Sequence, residues 1–197
     1  MYHAELARGR LWETLERIDE ELAEGVRAKG CRECGGRLDR GDYPRKPRGA
    51  LAEFGRLHAR RLSFCCAVEG CRRRATPPSV RFMGRRVYLG AVFVSLVAML
   101  ESGVTPWRAA RLRAAYGVGV RTLDRWRGWW RETFPRTRFW EAARARFAAP
   151  PIALEELPRS LLSRFGGEVA SRLVACLSFL SPLTTGPAVS ARTAMVG

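Results

Sequence analysis

The segment TPWRAARLRAAYGVGVRTLDRWRGWWRETF, at residues 105–134, contains the most specific pattern of the chain. It predicts a helix over 105–115, because threonine is a favourable N-cap and the proline after it suits the first helical position. The glycines at 117–119 predict a tight turn. A longer helix is predicted over 120–134, where Pro135 ends it. This succession has the spacing of a helix-turn-helix.

The two faces of the longer helix differ in chemistry. Leu123, Trp126 and Trp130 recur at steps of three and four residues, so they are predicted to form a buried stripe. Val118, in the turn, is expected to join the same core. The polar side chains left on the outer face of the first turns are Arg121, Thr122 and Arg125.

That outer face has the composition of a DNA-recognition helix. Its residues occupy the positions that enter a major groove, where arginine bonds both acceptors of guanine. Further along the helix, Arg127 and Arg131 are expected to reach the DNA backbone. An ordinary helical hairpin without a ligand is the alternative that this pattern leaves open.

Four of the six cysteines have the spacing of a metal site. Cys31 and Cys34 stand in CRECGG, which is typical of a zinc knuckle, and Cys66 and Cys71 form the second pair. Four thiolates complete a tetrahedral structural site, so we expect one structural Zn²⁺ per chain. A redox pair or a disulfide framework fits less well, because this basic, loop-rich segment lacks a βαβ pattern.

Cys65 competes with Cys66 for a place in this set. Adjacent residues on a strand point to opposite faces, and the alternation Leu62, Phe64, Cys66 places Cys66 with the apolar side chains. We therefore favour Cys66 as the ligand and expect Cys65 to be a buried neighbour, although the opposite choice stays open. Cys176 lies in an apolar run and is predicted to be a core residue.

Two basic clusters lie near the predicted metal site. One follows Cys71 directly, and the other is stiffened by Pro44 and Pro47. Both are candidate phosphate-contact loops, with merely solvated loops as the alternative. Their members are Arg72, Arg73 and Arg74 in the first cluster, and Arg45, Lys46 and Arg48 in the second.

The charge of the chain is concentrated in its centre. Of the net charge of +16, residues 31–86 carry +10 and residues 87–146 carry +7, so the two ends together are nearly neutral. Such a footprint predicts a polyanionic partner, and we expect double-stranded DNA. A membrane is disfavoured, because the chain shows no basic amphipathic surface helix and its longest apolar run, 87–100, is shorter than the ~20 residues that span a bilayer.

The sequence predicts a mainly α fold with a small β zinc ribbon. One amphipathic helix is expected over 4–28, and short strands are expected over 37–43 and 61–66. The apolar stripe of that first helix is predicted to be Leu11, Leu15, Ile18, Leu22 and Val26. Further helices are expected over 86–101, 138–147, 158–165 and 168–180. The expected units are an N-terminal helix at 1–29, the zinc ribbon at 30–84, the helix-turn-helix domain at 85–147, a C-terminal helical segment at 148–182 and a disordered tail at 183–197.

The order of these motifs resembles a known family. CRECGG, then FCC-x4-CRRRATPPSVRF, then GVGVRTLDRWRGWWRE is similar to the N-terminal DNA-binding module of bacterial insertion-sequence transposases, a zinc ribbon joined to a helix-turn-helix, and to small accessory proteins of mobile elements. The resemblance implies binding to element ends or to a promoter. It also implies that the four cysteines hold zinc and that Arg121, Thr122 and Arg125 read DNA.

Two departures from that family shape the expected function. The gap between the cysteine pairs is longer than in the shortest ribbons, and no α/β segment with three spaced carboxylates follows. We therefore expect an accessory or regulatory DNA-binding factor of a transposable element, not an enzyme. The start of the chain lacks a signal-peptide pattern, so a cytoplasmic, nucleoid-associated protein is expected.

Three other functions are weighed against this one. An RNA-binding zinc-ribbon protein is disfavoured because A-form RNA closes its major groove to a helix. A zinc-dependent enzyme with a cryptic site is disfavoured because four thiolates leave no open metal position. A pure protein-interaction scaffold is the third. Besides DNA, a transposase or a second copy of the chain stays open as a partner, whereas a membrane and a small-molecule substrate are not expected.

Overall fold

The N-terminal segment forms two helices where the sequence predicts one. In the computed structural model, which describes residues 2–45, 60–83, 88–100, 103–147 and 150–185, α1 (Tyr2–Leu6) is followed by α2 (Gly9–Ala28). The single helix over 4–28 is therefore wrong. Trp12 Nε1 donates to the Leu6 carbonyl at 3.0 Å, so the end of α1 is satisfied by an indole instead of a further helical turn.

The buried stripe of α2 also differs from the predicted one. Leu11 and Leu15 are buried as expected, but Ile18, Leu22 and Val26 are only half-buried. The residues that α2 buries are Leu11, Trp12, Leu15, Asp19 and Ala23. The helix is thus rotated so that an aspartate faces the interior.

Short antiparallel strands follow α2. β1 (Leu38–Arg40), β4 (Phe64–Cys66) and β5 (Arg74–Ala75) form one sheet in the order β1-β4-β5, with Leu38 opposite Cys66. β2 (Tyr43–Pro44) pairs with β3 (Arg60–Arg61). The predicted strands over 37–43 and 61–66 are each divided, because Asp42 Oδ1 accepts the backbone N–H of Ser63 at 2.9 Å and turns the chain between the strands.

The inner side of this sheet builds a small core against α2. Leu38, Leu62, Phe64 and Cys66 are all at most 2% exposed and pack with Cys31 and Ala23. Leu62, Phe64 and Cys66 meet in this one core, which confirms that they lie on the same side as predicted. Cys31, the first residue of its pair, is thereby packed against both the sheet and α2.

A larger core surrounds α3 (Gly90–Ala98), every residue of which is buried. The helix predicted over 86–101 begins at Gly90 because the preceding residues Tyr88–Leu89 form β7, which pairs with β6 (Phe82–Met83). Among the described residues, no helix is both long enough and apolar enough to cross a bilayer.

Next come α4 (Pro106–Tyr116) and α5 (Val120–Gly128), joined by a three-residue turn. The Thr105 side chain accepts the backbone N–H of Arg108 at 3.3 Å, and Gly117 has φ +64, a left-handed conformation that suits glycine. The predicted cap, turn and start of the second helix are confirmed at these residues. Val118 is 3% exposed and joins the core as expected.

The helix predicted over 120–134 changes pitch after Gly128. A π-helical turn at Trp129–Thr133 and a 3₁₀ turn at Phe134–Arg136 follow it. Both neighbouring indoles contact Phe93 of α3, with ring centroids at 5.3 Å for Trp129 and 5.6 Å for Trp130. The wider turn coincides with two adjacent tryptophans that pack on one ring of α3.

The C-terminal part is helical and more fragmented than predicted. The helix predicted over 138–147 is α6 (Arg138–Ala143) followed by a 3₁₀ turn. The helix predicted over 158–165 is shortened to α7 (Arg159–Leu162), and the last helix, α8 (Val169–Leu180), begins near its predicted start. In a final 3₁₀ turn, Thr184 accepts the backbone N–H of Ser79 at 2.9 Å. Residues 186–197 of the predicted tail lie outside the described residues.

Candidate metal centre and basic surfaces

The first cysteine pair lies on a turn closed by its own backbone. Cys31 N–H donates to the Gly36 carbonyl and Gly35 N–H donates to the Cys31 carbonyl, both at 2.8 Å. Gly35 has φ +70, which a residue with a side chain rarely adopts. A Cβ on Gly36 would lie 2.4 Å from Val68 Cγ2 and 3.3 Å from the sulfurs of Cys34 and Cys66, so a side chain there would crowd the contact between the two cysteine turns.

The second cysteine pair lies on a turn that leaves β4 and returns as β5. Cys71 N–H donates to the Val68 carbonyl at 3.2 Å, and Cys66 N–H donates to the Arg73 carbonyl at 2.9 Å. Gly70 and Arg72 both have positive φ, at +85 and +44. The turn therefore returns Cys71 to the side of Cys66.

The two turns bring four sulfur atoms together. The sulfurs of Cys31, Cys34, Cys66 and Cys71 all lie within 4.8 Å of one another. Cys31 Sγ is 3.7 Å from Cys71 Sγ, and Cys34 Sγ is 3.5 Å from Cys66 Sγ. Metal–sulfur bonds of about 2.3 Å in a tetrahedron put sulfurs roughly 3.8 Å apart. The cluster is therefore compatible with a metal ion.

The four thiols differ in acidity. Backbone N–H groups of Cys34 and Glu33 lower the pKa of Cys31 to about 7. Each of the other three sulfurs also accepts a backbone N–H group, which lowers the pKa of its thiol. The donors are Gly36 for Cys34, Val68 for Cys66 and Arg73 for Cys71. Neighbouring thiols and burial outweigh this effect, so the pKa of each of these three thiols is raised. A cation bound at the centre would reverse this balance, because metals bind thiolates and displace protons.

The two remaining cysteines lie outside the cluster. Cys65 is half-exposed and its thiol donates to the Arg72 carbonyl at 3.4 Å, so the expected burial of Cys65 is wrong. The reason is that its side of β4 faces the surface, whereas Cys66 faces the small core. Cys176 is fully buried in α8, as predicted, and burial raises the pKa of its thiol.

The arginines after Cys71 are all exposed. Arg74 Nη1 donates to the Gly41 carbonyl at 3.2 Å, and its guanidinium lies 5.4 Å from the centre of the Tyr43 ring. Arg45 Nη2 donates to the Tyr43 hydroxyl at 2.9 Å, so one residue of each predicted basic cluster meets at Tyr43. Sequence reasoning missed Tyr43, although an aromatic residue between basic loops is a recognisable signal. Lys46 and Arg48 lie outside the described residues.

The predicted outer face of α5 is exposed. Arg121 and Arg125 are exposed, Thr122 is half-buried, and Arg125 Nη2 donates to Thr122 Oγ1 at 3.3 Å. Leu123, Trp126 and Trp130 are at most 3% exposed, which confirms the buried stripe. Farther along, Arg127 is half-buried and Arg131 is exposed. Asp124, which was not predicted as a site residue, is exposed in the same turns.

Comparisons of the chain with protein-family models, with curated proteins and with solved structures found no match.

Proposed function

We propose that the chain is a zinc-stabilised protein that binds double-stranded DNA and reads sequence through α5. The observation that carries this proposal is the exposed face of α5 directly after the glycine turn. Arg121 and Arg125 project there from a helix whose opposite face is anchored by buried Leu123 and Trp126. A rigid helix that presents arginines in its first two turns has the geometry of a major-groove reader.

The side chains on this face suit base recognition. The hydrogen bond from Arg125 to Thr122 restricts the guanidinium before DNA binds, so less conformational entropy is lost on contact. Arginine would donate to O6 and N7 of guanine, and Asp124 would accept from N4 of cytosine. The neighbouring Arg127 and Arg131 would contact phosphates.

The donor set favours zinc as the metal. Four thiolates at tetrahedral separations are soft ligands, which excludes Mg²⁺ and Ca²⁺ and leaves zinc or an iron–sulfur centre as the usual occupants. Zinc would hold the turns of Cys31–Cys34 and Cys66–Cys71 together and thereby fix the backbone of Arg72, Arg73 and Arg74. With four thiolates bound, the metal keeps no open position, so its role is structural.

The arginines beside the metal turns would bind phosphates. Arg72 and Arg73 are exposed on a turn with a hydrogen-bonded backbone. Arg72 N–H donates to the Val68 carbonyl and the Arg73 carbonyl accepts the N–H of Cys66, so both side chains are presented from a fixed backbone. Contacts of this kind position a protein on DNA without reading sequence. Arg45 and Arg74 lie beside the same surface at Tyr43.

The role in a transposable element is the most specific part of the proposal. It is supported by the order of the CRECGG turn, the CRRRATPPSVRF segment and the GVGVRTLDRWRGWWRE helix, which resembles transposase DNA-binding modules. We propose an accessory or regulatory factor that acts in the bacterial cytoplasm, at the nucleoid, and has no catalytic activity of its own. A transposase or a second copy of the chain would be its protein partner.

Selection from a random pool of DNA duplexes tests the function. The zinc-loaded chain should enrich one sequence, and that duplex should bind about 1,000-fold or more tightly than a scrambled duplex at the same salt concentration. An A-form RNA duplex of the same sequence should bind no better than the scrambled DNA. Equal affinity for all duplexes would contradict sequence reading by α5.

A further inference from the structure

A cleft opens beside α4, on residues that the proposed function does not use. Its volume is about 820 Å³, which lies within the range of small-molecule sites. It is bounded by α4, by the residues that follow α3 and by His3 of α1. The hydroxyl of Tyr116 lies 3.1 Å from His3 Nδ1 and joins α4 to α1 at this boundary.

The wall of the cleft is largely apolar and includes an exposed indole. Met99, Leu100 and Leu112 line it, and all three are buried or half-buried. Trp107 also lines it and is 67% exposed, the largest value among the large hydrophobic side chains that the structure describes. A tryptophan left in water beside apolar side chains offers a surface on which a planar ring can stack.

The charged side chains among the described residues of the cleft are two arginines, which lie beside the hydroxyl groups of Thr105 and Tyr116. Arg108 and Arg111 line it, and the Arg111 guanidinium lies 4.8 Å from the centre of the Trp107 ring. None of the described lining residues is acidic. An arginine held against an indole keeps its charge and its donors, so it can bond an anionic group at the edge of the cleft.

From this combination we propose that the cleft binds a small organic anion that carries an aromatic ring. The ring stacks on Trp107 above Met99 and Leu112, and its carboxylate or comparable group bonds Arg111 and Arg108. The DNA backbone fits this site less well. Its phosphates would bond the arginines, but no part of the backbone would cover the apolar wall, which would stay exposed to water.

Calorimetric titration of the full, zinc-loaded chain with naphthalene-1-carboxylate tests the proposal without DNA, so its outcome is separate from that of the proposed function. The expected result is one saturable site per chain with a dissociation constant of about 1 mM or lower. The neutral naphthalene-1-carboxamide should bind the same chain about tenfold more weakly, since it cannot form the charge-assisted bond.

Variants locate the site. Arg111→Gln and Trp107→Ala should each weaken binding about tenfold or more, and Trp107→Phe should retain most of it. Arg113→Gln is the matched control, because Arg113 is exposed on the same helix but does not line the cleft. Absence of saturable binding, equal affinity for the carboxamide, or an equal loss in Arg113→Gln would each overturn the proposal. Displacement of the carboxylate by a single-stranded oligonucleotide would also overturn it.

Discussion

Arg81 Nε donates to Asp19 Oδ2 at 2.8 Å, and both side chains are only 1% exposed. Asp19 also accepts the Ser79 hydroxyl at 2.7 Å and the Val80 N–H at 2.6 Å. Arg81 Nη1 reaches Glu16 at 3.0 Å. This buried network connects α2 to residues 79–81, which link the small sheet to the larger core.

Asp19→Asn should destabilise the protein severely. It removes the charge that pairs with buried Arg81, and breaking such a pair costs about 3–5 kcal/mol in the free energy of unfolding. Urea denaturation measures this loss. Glu21→Gln is the control, because its partner Arg17 is exposed and such pairs contribute about 1 kcal/mol or less. Equal effects of the two substitutions would contradict the structural role of Asp19.

The Asp19–Arg81 pair is a part of this fold that the sequence pattern alone does not predict. Asp19 stands four residues after Leu15 and four before Ala23, so a helical pattern could have marked it as an inward position. Its partner lies 62 residues away, and no local period predicts that contact. The pitch change after Gly128 has a similar origin, because the ring that both tryptophans contact belongs to α3.

The candidate site was more accessible to sequence reasoning. The CRECGG spacing and the alternation of Leu62, Phe64 and Cys66 predicted which four sulfurs meet, because knuckle turns and strands are local structures. The exposure of Cys65 was missed because it depends on which side of β4 another element covers. Tyr43 was missed because only Arg45 is its neighbour along the chain, whereas Arg74 comes from the distant β5.

Cys34→Ser should lower both the zinc content and the yield of folded protein. Native mass spectrometry should find one zinc per wild-type chain and much less in this variant, because one of four thiolates is lost. Cys65→Ser is the matched control, since Cys65 lies outside the cluster, and it should keep one zinc. If the wild-type chain carries no metal and unfolds identically with and without a strong chelator, the metal site is refuted.

Thiol alkylation should separate the cysteines into three classes. In the zinc-loaded chain, half-exposed Cys65 should react first with N-ethylmaleimide. Removal of the metal should make the four clustered thiols reactive. Cys176 should react only after unfolding, because burial excludes the reagent and raises the pKa of the Cys176 thiol. Peptide mapping by mass spectrometry gives the order. Alkylation of Cys176 as fast as that of Cys65 in the folded chain would be inconsistent with the structure.

Arg73→Ala should weaken DNA binding equally for all sequences. Arg73 is exposed beside the metal turns, and loss of one phosphate contact should reduce the slope of log K against log salt by about 1. Arg10→Ala, an exposed arginine on α2, serves as the control and should leave the slope unchanged. Fluorescence anisotropy over a salt series measures both. A loss confined to one sequence would mean that Arg73 reads a base.

The sequence preference of Arg125→Ala tests the role of α5 in DNA recognition. It is measured as the affinity for the selected duplex and for each of its single base-pair substitutions. Discrimination at one base pair should fall by about 1–3 kcal/mol, while zinc content and the free energy of unfolding stay at the wild-type level. Arg10→Ala should retain the full preference. If Arg125→Ala keeps the wild-type preference at every position, α5 is not the recognition helix.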